Sequence, residues 1–450
     1  MFHPRRQTLT PFMIALLACG FLAPRAVASG FQLREQSAAY MGTAYAGSSA
    51  GGQDLSSMFW NPATMAQYPG NTLTIGGTYI GVFMDLSGAQ ASRAPAFQPG
   101  ARAINGPSTL PNAVSQPIVP SVYAAWAVGK NVTLGFSINS PFGLVTNYPD
   151  DFIGRYHGLK TDLKTYDVAP SIAIKANDQW AFGVSFVARK ADANLTNAVD
   201  FGAIGNAVGF PGFAPGGADS VATLKGSTWA YGYKLGFTYQ PSQDLHIGVG
   251  YQGKTTLKVD GNVSYSSVPT PFASLFPNAG GKADVNLPDT ASVGFTYQVT
   301  KDFSLQGEFA WTGWSTFKEL RVRFASGAPD SATDESWKNT TSYSLGGVLK
   351  VSPTLALKAG LAYDQSPVDD FHRTPRIPDA NRTWATLGAA WNAGPNTVVD
   401  VSIGHIFAPT ATLNLASGST QAADNFFRGN LTGSYKVGAN LAAISARFRY

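Results

Sequence analysis

The sequence predicts an all-β protein: a 14-stranded antiparallel transmembrane β-barrel plugged by a small N-terminal helical hatch. Three observations predict it. Period-two alternation of apolar and polar residues runs through most of the chain after Asn71, and many of the alternating segments exceed the ~5–6 residues usual for soluble strands and reach the ~9–11 that cross a bilayer. The connections sort by parity, tight on one side and long on the other, as periplasmic turns and extracellular loops do. Only 13% of the residues are charged while 12% are aromatic and 48 are glycine, and no window approaches the ~20 unbroken apolar residues of a spanning helix.

The first element is an export signal, residues 1–28. Arg5 and Arg6 form its charged start, Pro11 to Leu22 its apolar core, and Ala26-Val27-Ala28 fits the small-x-small cleavage rule, so the mature chain is expected to begin at Ser29. Leu16-Leu17-Ala18-Cys19 offers a rival lipoprotein site. Removing residues 1–28 takes away three arginines and no acids, so the net charge falls from +5 to +2. The basic balance therefore makes no case for nucleic acid. The only cysteine goes too, which excludes a disulfide framework and a thiol metal site from the mature chain.

Residues 29–70 come next, rich in small side chains. Their "DLSSMFWNPATMA" (54–66) contains helix punctuation: Asp54 can cap the turn that follows it, and Asn61 can cap a second turn with Pro62 and Ala63 at its start. Met58, Phe59 and Trp60 argue against a disordered tail. A segment this small cannot build its own core, but can complete one inside a barrel.

Residues 71–450 are the barrel. Alternation marks fourteen segments, at about 71–86, 117–129, 131–145, 162–177, 179–193, 225–240, 243–260, 283–299, 301–322, 337–352, 354–364, 382–393, 396–409 and 432–450. In "QWAFGVSFVAR", Trp180, Phe182, Val184 and Phe186 share one face, and Gln179, Gly183, Ser185 and Arg189 the other. Short turns follow even-numbered segments, as at Asn177-Asp178 and Pro241-Ser242; long loops follow odd-numbered ones, as at 87–116, 194–224 and 365–381. An even count puts both termini on the periplasmic side. The last segment ends on an aromatic, Tyr450, the type of signal read by the outer-membrane insertion machinery.

Other chemistry is thin. "GVGYQGKT" (248–255) matches the phosphate-loop pattern, but Leu245, Ile247, Val249, Tyr251, Leu257 and Val259 are expected to alternate straight through it, which commits its amides to strand pairing. The five histidines lack metal-ligand spacing and there is no G-x-S-x-G, so neither an enzyme nor a metal or cofactor site is expected.

Several motifs in order carry a resemblance: "SGFQLREQSAAYMGTAYAG", "DLSSMFWNPATMA", "NSPFGLVTNY", "VNLPDTASVGFTY" leading to "WTGWSTF", "YDQSPVDD" with "RIPDANRTW", and the terminal aromatic strand. Together they are similar to the FadL family of outer-membrane transporters for long-chain fatty acids and other hydrophobic compounds, over essentially the whole mature chain. The resemblance implies a fourteen-stranded barrel with an N-terminal hatch, no energy source, capture by extracellular loops, and a pocket above the hatch. It also implies lateral release at a kink in segment 3, which maps onto Ser140, Pro141, Phe142 and Gly143. Proline cannot donate to a ladder and glycine weakens one, so the residues themselves support an opening there; a strand ending in a loop would read the same. Apolar loop residues, Phe210, Phe213, Phe272 and Phe276 with Phe201 and Leu275, are candidates for capture or for packing on each other. For a carboxylate, Arg189 and Lys338 are the candidate cations, both placed in the lumen by parity, Lys338 also by the resemblance; either is equally an ordinary lumenal charge. The family's partner arginine has no match, which leaves fatty acid against aromatic hydrocarbon open. A general porin is the rival class. Outer-membrane lipid and lipopolysaccharide are the expected surroundings, with the chain a monomer.

Overall fold

A computed structural model describes residues 30–94, 103–417, 425 and 427–450. The export signal and its cleavage site lie outside the described residues.

One antiparallel sheet closes on itself. It contains β1 (Thr72–Ser92), β2 (Ile118–Ala127), β3 (Val132–Asn139), β4 (Gly143–Asn147), β5 (Lys160–Lys175), β6 (Trp180–Asp200), β7 (Asp219–Tyr239), β8 (Leu245–Gln252), β9 (Thr255–Tyr265), β10 (Ala279–Leu287), β11 (Thr290–Gln298), β12 (Phe303–Thr312), β13 (Glu319–Phe324), β14 (Ser331–Asp334), β15 (Thr340–Lys350), β16 (Leu355–Asp364), β17 (Arg382–Gly394), β18 (Thr397–Phe407), β19 (Ala411–Leu415) and β20 (Asn430–Arg449). Collinear pieces make single staves (β3–β4, β8–β9, β10–β11, β12–β13, β14–β15, β18–β19), giving the fourteen staves expected. β1 pairs with both β2 and β20, which closes the barrel and leaves no edge for lipid to meet. Outward residues are the large apolar ones of the alternation, such as Phe182, Val184 and Phe186 of β6.

Two expectations need correction. Staves 5 and 6 run to Asp200 and from Asp219, so much of the loop expected at 194–224 is sheet, and only 201–218 connects them, opening with the short helix α2 (Phe201–Ala207). The alternation also does not pass straight through 248–255. Gly248 and Gly250 turn inward, and above the break at Gly253-Lys254 it is Leu257 and Val259 that turn inward instead. A net one-residue slip across that break shifts the phase and swaps the faces. Gly248–Gln252 pairs with β7 and β11, so those amides serve the ladder and not a phosphate.

Ahead of β1 the chain folds within the barrel. It forms the helical turn α1 (Ala38–Met41), capped by Ser37, and two 3-10 turns, Leu55–Phe59 and Pro62–Gln67. Asp54 caps the first, accepting from Ser56 N. Asn61 caps the second, its Oδ1 accepting from Ala63 N at 3.0 Å, and its amide donates to Ser49 O and to Phe237 O of β7 at 2.9 Å. It thus terminates one turn, starts the next and ties both to the wall. Leu55, Met58, Phe59, Met65 and Tyr68 share a core with Tyr123, Ala125 and Ala173 of β2 and β5, so the wall supplies the core that this segment lacks. Pro62 and Ala63 approach the wall so closely that a Cβ on Gly183 would lie 2.3 Å from Ala63 N, and one on Gly236 1.9 Å from Asn61 Oδ1.

Those two glycines carry a prediction. Gly183→Val with Gly236→Val should unseat the second turn, raising single-channel conductance and protease cleavage within 30–70 while the barrel keeps its heat-modifiable mobility. Gly394→Ala, where a Cβ meets nothing within 4 Å, should change none of these.

Candidate ligand-binding site

The lumen changes character with height. Level with the hatch, inward positions are polar: Ser292 of β11, Ser304, Gln306 and Glu308 of β12, Ser342 of β15, Lys358 of β16, and Asp400 and Ser402 of β18. Several bond the hatch. Glu308 accepts from Ser49 N, Lys358 binds Asp400 (2.7 Å) and Ala39 O, Lys234 donates to Phe59 O (2.9 Å), and Arg447 to Gln53 O (2.6 Å). Above the breaks in staves 7, 8 and 13 the phase shifts, and Leu257, Val259, Val285, Leu287, Leu413 and Leu415 turn inward instead. The upper lumen is therefore an apolar chamber on a polar floor.

At the base of that chamber Phe31 fills an aromatic cage. Its ring lies 4.9 Å from Trp314, 5.6 Å from Phe317, 5.7 Å from Trp337 and 6.1 Å from Phe142, mostly edge-on or tilted, as ring quadrupoles favour. Gly30 N donates to Asp379 at 2.9 Å. Burying such a ring is worth ~1.5–3 kcal/mol, so anything that displaces Phe31 must replace comparable contact.

The wall is broken beside the cage. β2 pairs with β3 up to Val122↔Ile138, and the same register resumes only at the isolated bridge Val114↔Thr146. Between them no ladder joins Ile118–Ser121 to stave 3 among the described residues. Stave 3 is interrupted from Ser140 to Phe142, and the hatch pairs there instead: Leu33 N donates to Pro141 O (2.7 Å) and Gly143 N to Phe31 O (3.0 Å). Ser140 Oγ and Phe142 N are held by Thr165, and Gln36 bonds Ser140 O.

Higher up lies a cavity of ≈ 580 Å³ whose walls include Leu195, Leu224, Val263, Phe276, Val322 and Phe324, with Arg321, Arg376 and Arg428 among its polar groups. A hollow of ≈ 700 Å³ lined by Leu305, Leu345, Leu361, Leu387 and Ile403 lies on the outward face of the staves and belongs to the lipid contact.

The structure places the other expected site residues as follows. Phe272 lies 5.4 Å from Phe201 and 5.5 Å from both Phe210 and Phe213, and Phe276 packs on Phe201 at 5.0 Å. The loop aromatics thus form one cluster across two loops; Phe276 also lines the cavity. Arg189 faces inward as expected, but it is locked in a two-pronged bond to Asp167 (both 2.7 Å) and sits over the Phe142 ring. Lys338 is exposed, with Asp369 at 2.9 Å, and its neighbour Trp337 is the residue that turns into the cage. Inward parity fails for Lys338 because the chain between Asp334 and Thr340 is not strand. The cage residues Trp314, Phe317, Trp337 and Phe31, with Asp379 and Arg376, were not picked out individually as site residues. The only signal for them was the aromatic density of "WTGWSTF" and the motifs around it.

Glu335, on the connection beside Trp337, is 1% exposed and accepts from the Trp337 indole at 3.0 Å. Burial pushes its carboxyl up to about 8.

Comparison with known proteins bears on this arrangement. The family described as "Outer membrane protein transport protein (OMPP1/FadL/TodX)" matches residues 19–450. A long-chain fatty acid transport protein of Salmonella typhi is 27% identical over 91% of this chain and 94% of its own. Outer membrane protein P1 of Haemophilus influenzae is 28% identical over 88% of this chain and 90% of its own. Among solved structures, a Pseudomonas aeruginosa FadL homologue superposes with a TM-score of 0.83 at 22% identity, covering 93% of this chain and 99% of that one. The Pseudomonas putida toluene transporter TodX superposes with 0.67 at 16% identity, covering 93% and 99%.

Because the native Glu335 holds a proton that the unfolded chain releases above about 4.5, its contribution to stability should fall as pH rises from about 4.5 to 8. Hydrogen exchange of the 335–339 amides should report that loss, at up to about 1.4 kcal/mol per pH unit. Glu335→Gln should flatten the slope; an unchanged slope would assign it to another group.

Proposed function

The chain belongs to the outer membrane protein transport protein (OMPP1/FadL/TodX) family, and from that premise we propose that it carries long-chain fatty acids or similar hydrophobic molecules passively across the bacterial outer membrane. Substrate is captured at the aromatic loops, enters the apolar chamber, and leaves sideways through the gap beside stave 3.

The observation that carries this reading is the gap. A membrane barrel gains nothing from an unpaired stretch of wall, since each unsatisfied backbone group costs several kcal/mol in hydrocarbon. Here the missing pairing at Pro141 and Gly143 is supplied from inside by Phe31–Leu33. An inner strand held by two ladder bonds, the bonds from Gly30 to Asp379 and from Gln32 to Thr290, and the buried Phe31 and Leu33 side chains can leave, and the chamber then communicates with the membrane. The floor supports the same route. The hatch body is bonded to the wall through Lys234, Glu308, Lys358 and Arg447, which favours exit above it and disfavours a general diffusion pore. The hatch side chains Met58, Phe59, Trp60, Asn61, Pro62 and Ala63 act in this reading as a fixed platform. The apolar route calls for no catalytic group.

A second reading, uptake of aromatic hydrocarbons, is favoured by the cage of Trp314, Phe317 and Trp337 around Phe31 and by the likeness to a toluene transporter. Export with cleavage after Ala28, insertion guided by the terminal aromatic of β20, and a monomer in contact with lipopolysaccharide complete the proposal.

Deleting Ser140–Gly143 preserves strand parity and should close the wall. Uptake of radiolabelled oleate by cells lacking their own transporters should then fall to background with the barrel still folded; uptake at the parental rate would rule out the lateral route.

A further inference from the structure

Among the described residues, most arginines of the outer chamber are answered by carboxylates. Arg93 pairs with Asp200, Arg155 with Asp219, Arg321 with Glu319 and Asp330, Arg373 with Asp370, and Arg382 with Asp379. Arg376, on the connection between β16 and β17, is 6% exposed and has no carboxylate within 4.0 Å among the described residues. Its Nη1 donates to Lys160 O (3.0 Å) and Thr161 Oγ1 (3.2 Å), and its Nη2 to Thr196 O (3.1 Å) and Asn197 Oδ1 (3.4 Å), all neutral oxygens. A buried cation without counter-charge is expensive. Arg428 lines the same cavity, its Nη2 on Ser331 Oγ. Glu335, the acid whose charge bears on both arginines, is itself held largely protonated by burial. Arg376 therefore brings a positive charge to this end of the cavity, while Leu195, Leu224, Val263, Phe276, Val322 and Phe324 make its walls apolar.

We propose that this cavity is a binding site for an anionic amphiphile, with Arg376 as the counter-charge for its carboxylate and the apolar walls receiving its chain. The proposal rests on the transport reading and narrows its substrate class. The size suits one drug-sized or lipid-sized ligand, since pockets of ~300–1,000 Å³ bury most of such a molecule. The guanidinium is also poised to respond. One acceptor on each Nη is a side chain, Thr161 on one and Asn197 on the other, and rotation of the two frees one N–H on each nitrogen. Two parallel N–H groups are the fork that grips a carboxylate through both oxygens. The carbonyls of Lys160 and Thr196 stay bound and keep the fork aimed. A neutral hydrocarbon gains nothing from this arrangement, so Arg376 acts as a specificity residue and not as part of a general apolar lining.

The test compares a fatty acid with its uncharged counterpart. Uptake of radiolabelled oleate, oleyl alcohol and toluene is measured in cells lacking their own outer-membrane transporters and expressing the full chain, Arg376→Gln or Arg376→Lys, at matched levels of heat-modifiable barrel. Arg376→Gln should raise the half-saturating oleate concentration about 10-fold, as loss of one charge-assisted contact does. It should leave oleyl alcohol and toluene unchanged, and Arg376→Lys, which keeps the charge but not the fork, should recover only part of the oleate affinity. Equal loss for oleate and oleyl alcohol would overturn the anchor, as would no loss for oleate. Wild-type uptake of toluene or oleyl alcohol but not oleate would overturn the anchor and leave the transport reading standing. Wild-type uptake of none of the three would overturn both.

Discussion

Every backbone N–H and C=O of a membrane wall must find a partner inside the protein, and the structure satisfies that rule at stave 3 by an unusual route. Where Pro141 and the turn around it interrupt the ladder, the pairing is completed by Phe31–Leu33 from the hatch. The position of the hatch, the aromatic cage and the gap in the wall all follow from this substitution. Because the hatch strand must reach the wall, Phe31 is carried into the chamber, where Phe142, Trp314, Phe317 and Trp337 surround it. Because Phe142 turns inward to meet it, stave 3 leaves β2, and Ile118–Ser121 keep their ladder to β1 but have none to stave 3 among the described residues.

The plug is consequently of two kinds. Its body is bonded to staves on several sides by charged groups, and packed backbone to backbone against Gly183 and Gly248. Its N-terminal strand is held by two ladder bonds, the bonds from Gly30 to Asp379 and from Gln32 to Thr290, and the contacts of the Phe31 ring and the Leu33 side chain. Opposing terms of that size lie within reach of a ligand that offers equivalent apolar contact. Above the strand, the phase shifts in staves 7, 8 and 13 turn leucine and valine inward where the lower barrel turns serine and glutamate, which gives a hydrophobic molecule apolar surface above the cage.

Much of the scaffold was legible because its determinants are local. Alternation along one strand reports which face meets lipid, and loop length reports which end faces out, so fourteen staves could be found without tertiary information. Asn61 was legible as a cap for the same reason; its second bond, to Phe237, was not, since the partner lies 176 residues away. Parity failed wherever a short irregularity shifted phase, at Gly253-Lys254 and between Asp334 and Thr340, the latter exposing Lys338. The loop aromatics could be identified, but whether they face a ligand or each other depends on contact between two loops. Arg189 could be assigned to the lumen, but not its lock to Asp167 on the adjacent stave. The significance of Arg376 lies in the lack of a carboxylate beside it among the described residues, and only three-dimensional neighbours reveal that.

The central claim, that the inner strand must leave the gap for substrate to pass, is tested most directly by tethering it. Gln32 and Phe142 face each other across the antiparallel bridge between hatch and stave 3, a geometry in which paired cysteines can form a disulfide. In a Gln32→Cys, Phe142→Cys chain, oleate uptake should stop when the bond is oxidised and return on reduction. Uptake that continues at the same rate with the bond demonstrably closed would contradict the account.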